Sequence, residues 1–93
     1  MRVYIPDLEK KKILTSDGFE LGKIIGFELS PNKWVVEYFS LQLNEKAVDE
    51  LRLEKPIMGT VIVKLPMNMI GIIHDIIMLK KSLSELREYL RES

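Results

Sequence analysis

Two apolar runs joined by a turn decide the fold, in the stretch Lys11-Lys12-Ile13-Leu14-Thr15-Ser16-Asp17-Gly18-Phe19-Glu20-Leu21-Gly22-Lys23-Ile24-Ile25-Gly26. Gly18 accepts a positive φ, and Asp17 can hydrogen-bond the backbone close to it, so Ser16-Asp17-Gly18 is typical of a tight turn. The β-branched residues on both sides favour extended chain. The stretch therefore predicts a strand, a tight turn and a second strand.

Size and composition favour one mainly β domain. The chain has 93 residues, 46% of them apolar, with thirteen Leu and eleven Ile against a single Ala. This composition suits strands and a packed core better than a helical bundle. A chain of this length buries only roughly 60 to 65% of the surface of its unfolded form. We therefore expect residues 1–93 to form a single domain whose stability is modest or shared with a second copy.

The charges are balanced, with fourteen Lys and Arg residues against fourteen Asp and Glu residues. No overall field attracts nucleic acid or an anionic membrane surface, so we expect neither as a direct partner. The chain has no Cys, which excludes disulfides and thiolate metal sites. Its longest apolar run, residues 69–79, is too short to span a bilayer, and its start lacks the apolar core of a signal peptide. We expect a cytoplasmic protein with no membrane insertion.

The remaining elements follow from apolar spacing and from turn and cap residues. The sequence predicts a brief strand or packed tail in residues 1–9 and strands at 21–29, 34–43, 60–65 and 70–79, the first of them bent at Gly22 and Gly26 and followed by a turn at 30–33. It also predicts a helix at 45–53, capped by Asn44 and ended by Lys55-Pro56. A C-terminal helix is predicted at about 82–92, with a Ser82/Glu85 capping box.

Two of these strands are apolar on both faces, the strand at 34–43 at its start and the strand at 70–79. Later in the first strand, Phe39, Leu41 and Leu43 alternate with the polar Ser40 and Gln42. A chain of this size cannot cover both sides of both strands, so the second faces are expected to contact another copy or a partner. The C-terminal helix is too short to be stable alone and must dock on its own sheet or on another subunit. The candidate contact residues are Trp34, Val36 and Tyr38 of the first strand, Ile72, His74 and Ile76 of the second, and Leu83, Leu86 and Leu90 of the helix.

The sequence indicates no catalytic residue, cofactor or metal site. One His and no Cys cannot build the usual zinc sites or a Cys-His nucleophile pair. Adjacent residues of a strand point to opposite faces, so His74 and Asp75 do not form a general-base pair, and His74 is interpreted as a packed or interface histidine. The basic cluster at 10–12 is interpreted as a solvated strand end rather than a phosphate site. A small enzyme that uses single carboxylates in a cleft is left open.

Part of the quoted stretch resembles the opening of the PRC-barrel domain, the small β-barrel named from the photosynthetic reaction centre H subunit. The similar residues are Lys12-Ile13-Leu14-Thr15-Ser16-Asp17-Gly18-Phe19-Glu20-Leu21-Gly22-Lys23-Ile24-Ile25. The later Ile70-Gly71-Ile72-Ile73-His74-Asp75-Ile76-Ile77-Met78-Leu79 resembles the closing strand of archaeal single-domain members, and the helix after it adds to the likeness. The chain departs from the pattern at Gly26, where many members carry an acidic residue.

This resemblance implies a small PRC-type β-barrel with one short inserted helix and a C-terminal helix. It also implies a non-enzymatic adaptor that commonly self-associates. Stand-alone archaeal members are linked to cell division, working with the FtsZ ring and its SepF anchor. We therefore expect a homodimer or higher assembly that acts in archaeal division with SepF-type or other PRC-barrel proteins. The alternative is a ribosome-maturation or RNA-processing accessory that contacts ribosomal proteins, as other PRC-barrels do.

Overall fold

The mainly β prediction is confirmed by a computed structural model, which describes residues 5–9 and 11–92. Within these ranges the elements are α1 (Ile5–Glu9), β1 (Lys12–Leu14), β2 (Glu20–Leu29), β3 (Val36–Leu43), α2 (Glu45–Glu50), β4 (Ile62–Pro66), a 3-10 turn (Met67–Met69), β5 (Ile70–Ile73), β6 (Ile77–Leu79) and α3 (Leu83–Glu92).

The strands form one mixed sheet in the order β4-β3-β2-β1-β6-β5. Only the β1–β6 pair is parallel among the described strands. The two end strands, β4 and β5, follow each other in the chain, but no described ladder pairs them, so the expected closed barrel is wrong. Pro66 has no N–H and holds an extended backbone at the corner. The 3-10 turn Met67–Met69 then carries the chain from β4 at one edge of the sheet to β5 at the other.

The turn between β1 and β2 has the predicted geometry. Gly18 has a φ of +88° and its N–H donates to the Thr15 carbonyl at 2.9 Å. Gly22 also has a positive φ, and a Cβ at this position would overlap the carbonyl oxygen of Gln42 on β3. The register of β2 against β3 shifts between Ile24 and Gly26, which marks a bulge. The interpretation of these glycines as sites of close approach and bending is confirmed.

The core lies on one face of the sheet and beneath the helices. The predicted alternation of β3 is confirmed from Phe39 onward, since Phe39, Leu41 and Leu43 are buried and the residues between them are half-exposed. The largest fully buried apolar side chains are Ile13, Leu21, Ile24, Phe39, Leu41, Leu65, Ile77, Leu79 and Leu86. Leu86 belongs to α3, so the C-terminal helix docks on the sheet of its own chain.

Both predicted helix caps are present. Asn44 Oδ1 accepts the Ala47 N–H at 2.7 Å at the start of α2. At the start of α3, the Ser82 N–H donates to Glu85 Oε1 at 2.9 Å and the Glu85 N–H donates to Ser82 Oγ at 3.2 Å. The end of α2 was predicted wrongly: the helix stops at Glu50, because Arg52 adopts a left-handed backbone with a φ of +58°.

Three further expectations were wrong. Residues 70–79 form two strands, β5 and β6, because the His74 N–H donates to the Ile76 carbonyl at 2.9 Å and closes a tight turn. Ile72, His74 and Ile76 therefore do not lie on one strand: Ile72 is on β5, and His74 and Ile76 are in the turn. Residues 5–9 form α1 instead of a brief strand, with Pro6 in the first turn where its missing N–H is tolerated. Leu8 of this helix is buried, which agrees with the alternative of a packed tail; residues 1–4 lie outside the described part. The strand predicted from Trp34 begins only at Val36.

A candidate protein-interaction surface

The nine candidate contact residues lie at three separate places. Trp34, Val36 and Tyr38 lie at the start of β3, Ile72, His74 and Ile76 lie on β5 and in the turn after it, and Leu83, Leu86 and Leu90 lie on α3. In the sheet, β2, β1 and β6 separate β3 from β5. The structure therefore does not bring the two strand groups together on one face.

Trp34 lies in the β2–β3 loop with its side chain 79% exposed. Its N–H donates to the Ser30 carbonyl at 2.9 Å, and the Ser30 N–H donates to the Val35 carbonyl at 2.8 Å. These bonds close the loop and hold Trp34 in a left-handed backbone with a φ of +56°. Leu29 and Val35 are each half exposed beside it. We call these three residues, Leu29, Trp34 and Val35, the Trp34 patch.

Lys64 partly covers the outward face of the sheet near Tyr38. Lys64 Nζ lies 4.5 Å from the centroid of the Tyr38 ring and 2.6 Å from Glu28 Oε2. The hydrogen bond to Glu28 raises the pKa of Lys64, with a smaller coulombic contribution from the same carboxylate. Tyr38 is half-buried in this arrangement. The aliphatic stem of Lys64 and the ring together shield this part of the sheet within the chain.

The second strand group lies at the free end of the sheet. Ile72 on β5 is 51% exposed, and Ile76 is half-buried at the end of the turn. His74 and Asp75 are both exposed at the tip of the β5–β6 hairpin. His74 is thus not packed inside its own chain; its role at a subunit contact stays a prediction.

The three leucines of α3, Leu83, Leu86 and Leu90, hold this helix on the sheet of the same chain. Leu86 is fully buried, and Leu83 and Leu90 are half-buried against the core. Two polar contacts add to this docking: Arg87 Nε donates to the Glu50 carbonyl at 2.8 Å, and the Leu83 N–H donates to Asp17 Oδ1 at 3.1 Å. Leu86 is therefore unavailable to a partner while the helix stays docked.

Asp17 has a structural part in the turn. Its carboxylate accepts the Thr15 hydroxyl and the Leu83 N–H, and these hydrogen bonds lower the pKa of Asp17, the Thr15 bond most. The Thr15 hydroxyl oxygen in turn accepts the Phe19 N–H at 3.0 Å. The interpretation of Asp17 as a turn residue is confirmed.

The structure also exposes two apolar residues that the sequence reasoning missed. Ile57 and Met58 lie in the loop between α2 and β4 and are 103% and 87% exposed. The signal was the pattern Pro56-Ile57-Met58-Gly59, in which turn residues flank two large apolar side chains. They are the two most exposed large apolar side chains among the described residues.

No helix within 5–9 and 11–92 is long and apolar enough to cross a bilayer. In the same ranges, no three side chains of His, Asp or Glu are grouped so that they could hold a metal ion.

No protein-family model matches this sequence, and no curated protein is significantly similar to it. The resemblance to the PRC-barrel domain therefore stays a prediction from the quoted residues.

Proposed function

We propose that this chain is a non-enzymatic protein-interaction module that self-associates in the cytoplasm. The observation that supports this is the exposure of Trp34 and Ile72 in a chain whose core is already formed by other residues. Burying 100 Å² of such apolar surface stabilises a contact by about 2.5 kcal/mol before association costs are counted. Trp residues are also frequent anchors of protein interfaces.

The backbone of Trp34 supports the same proposal. A left-handed φ is unfavourable for a bulky residue, and an exposed indole contributes little packing to offset it. Such a conformation is typical of a residue kept for contact with another molecule. The Trp34 patch is therefore the candidate binding site for a protein partner.

The pathway we propose is archaeal FtsZ-based cell division, with a SepF-type anchor or another PRC-barrel division protein as partner. This part of the proposal depends only on the resemblance of residues 12–25 and 70–90 to PRC-barrel proteins.

Two measurements test the proposal. Sedimentation velocity of the full chain at increasing concentration should show a reversible dimer or larger assembly, and a strict monomer would contradict self-association. Affinity capture from the source cells, with Trp34→Glu as the matched control, should recover division proteins with the native chain and lose them with the variant. Recovery of ribosomal proteins without division proteins would replace the division proposal by the ribosome-maturation alternative.

A further inference from the structure

The two edges of the sheet differ in how they are protected. The β4 edge carries Lys64 and Pro66, and a charge and a proline are the usual means of preventing edge-to-edge pairing. The β5 edge consists of Ile70-Gly71-Ile72-Ile73, with no charge and no proline, and its one irregularity is the bulge at Gly71. Of the two edges, β5 is therefore the one open to another strand.

We propose that a second copy of this chain pairs with β5 in antiparallel orientation about a two-fold axis, so that one continuous sheet crosses the dimer. This inference rests on the self-association proposed above and names β5 as the surface through which the two copies associate. It leaves the Trp34 patch on a different part of the sheet, free for a different protein.

The hydrogen-bond pattern of the β5–β6 hairpin identifies the groups that would bond the second copy. The Met69 carbonyl accepts the Lys80 N–H at 2.8 Å, and the His74 N–H donates to the Ile76 carbonyl at 2.9 Å. Backbone groups alternate in direction along an antiparallel ladder, and the register shift between Ile70 and Ile72 inserts one extra residue, Gly71. The N–H and C=O of Ile70 and of Ile73, three residues apart, are therefore both directed to the open edge. A second β5 strand supplies the matching donors and acceptors.

The charges at the two ends of β5 favour antiparallel over parallel pairing of two copies. Asp75 follows the C-terminal end of β5, and Lys80 lies beside its N-terminal end. The Lys80 side chain lies against Gly71, where a Cβ would be 3.2 Å from Lys80 Cγ. An antiparallel pairing brings Asp75 of each copy to the Lys80 end of the other, whereas a parallel pairing would place like charges together.

These two charges do not pair within one chain. Neither Asp75 nor Lys80 forms an ion pair within 4.0 Å among the described residues. Five residues of extended chain separate them by about 16 Å. An ion pair between Asp75 and Lys80 therefore requires two copies.

The first test compares two matched isoleucines by sedimentation equilibrium. Ile72 on β5 and Ile62 on β4 are 51% and 52% exposed, and both lie on edge strands. Ile72→Lys should weaken dimerisation at least about tenfold, because it places a charge on the pairing edge. Ile62→Lys should leave the dimer unchanged. Thermal unfolding of both variants checks that each remains folded, and equal effects on dimerisation would overturn the proposed edge.

The second test reverses the charges of the full chain. Asp75→Lys and Lys80→Glu should each weaken the dimer about fivefold to tenfold, because each creates two symmetry-related repulsive contacts. The double variant should return to within about threefold of the native dimer. Absence of this rescue in a chain that still dimerises would overturn the edge pairing but leave self-association intact. A native chain that stays monomeric at about 200 μM would overturn both.

Discussion

The carboxylate of Asp17 accepts the backbone N–H of Leu83 at 3.1 Å, although 66 residues separate them in the chain. Next to this bond, the Ser16 N–H donates to the Lys81 carbonyl at 2.8 Å. The turn that joins β1 and β2 therefore also binds the first N–H of α3, which has no partner within the helix, and the carbonyl of Lys81 just before the helix. One local motif at the start of the chain positions the last helix.

The first prediction concerns this contact. Asp17→Ala should lower the thermal midpoint by several degrees, because it removes the Thr15 bond and the bond to the Leu83 N–H together. Thermal unfolding followed by circular dichroism measures the effect. Asp49→Ala is the control, since Asp49 contributes an exposed ion pair to Lys55 and should change the midpoint little. An equal effect of the two changes would contradict the role assigned to Asp17.

The second prediction is a loss of stability at acidic pH. Hydrogen bonds lower the pKa of Asp17 below 3.8, the Thr15 bond most, and the pKa of Glu85 below 4.5, the bond from the Ser82 N–H most. The folded state therefore binds protons less readily than the unfolded state. The stabilisation from these two carboxylates is complete at pH values above their pKa values in the unfolded state. This stabilisation should be lost as the pH falls through the lowered pKa values of the folded state.

Urea denaturation between about pH 3 and pH 7 measures this dependence. The Asp17→Asn/Glu85→Gln double variant should be less stable than the native chain at neutral pH and lose less on acidification. Parallel curves for the two proteins would show that other carboxylates cause the acid sensitivity.

The third prediction separates backbone strain from contact at Trp34. Trp34→Gly should be more stable than Trp34→Ala by about 1 kcal/mol, because only Gly adopts the left-handed backbone without steric cost. Both variants should lose affinity for the protein partner to the same degree, since both lack the indole. A partner affinity kept by either variant would show that the Trp34 patch is not the binding site.

The fourth prediction uses two glycines of the same strand. Gly22→Ala should destabilise the fold by more than about 3 kcal/mol, because its Cβ would overlap the carbonyl oxygen of Gln42. Gly26→Ala should cost less than about 1 kcal/mol, because a Cβ there meets no atom within 4 Å. Urea midpoints measure both changes. Similar losses at the two sites would mean that flexibility, and not close approach, is the requirement at Gly22.

Local features of the candidate site were predicted better than the strand order that separates its parts. The exposure of Trp34 and Ile72 agrees with the expectation that both lie outside the core. Their separation in the sheet was not predictable, because it is set by the pairing of β1 with β6. The run at 70–79 was misread because apolar residues are equally compatible with one long strand and with two short ones. The exposed pair Ile57 and Met58 was missed because apolar residues usually indicate core.

By itself, the sequence determined the elements whose causes lie within a few residues. The turn at Gly18, the cap at Asn44, the Ser82/Glu85 capping box and the alternation of Phe39 and Leu41 belong to this class, since each depends on side chains and backbone groups that are neighbours in the chain. Tertiary structure alone decided the strand order, the open β5 edge and the contact between Asp17 and Leu83. These depend on the joint packing of segments far apart in the chain, where several arrangements bury similar apolar area and only the complete set of contacts selects one.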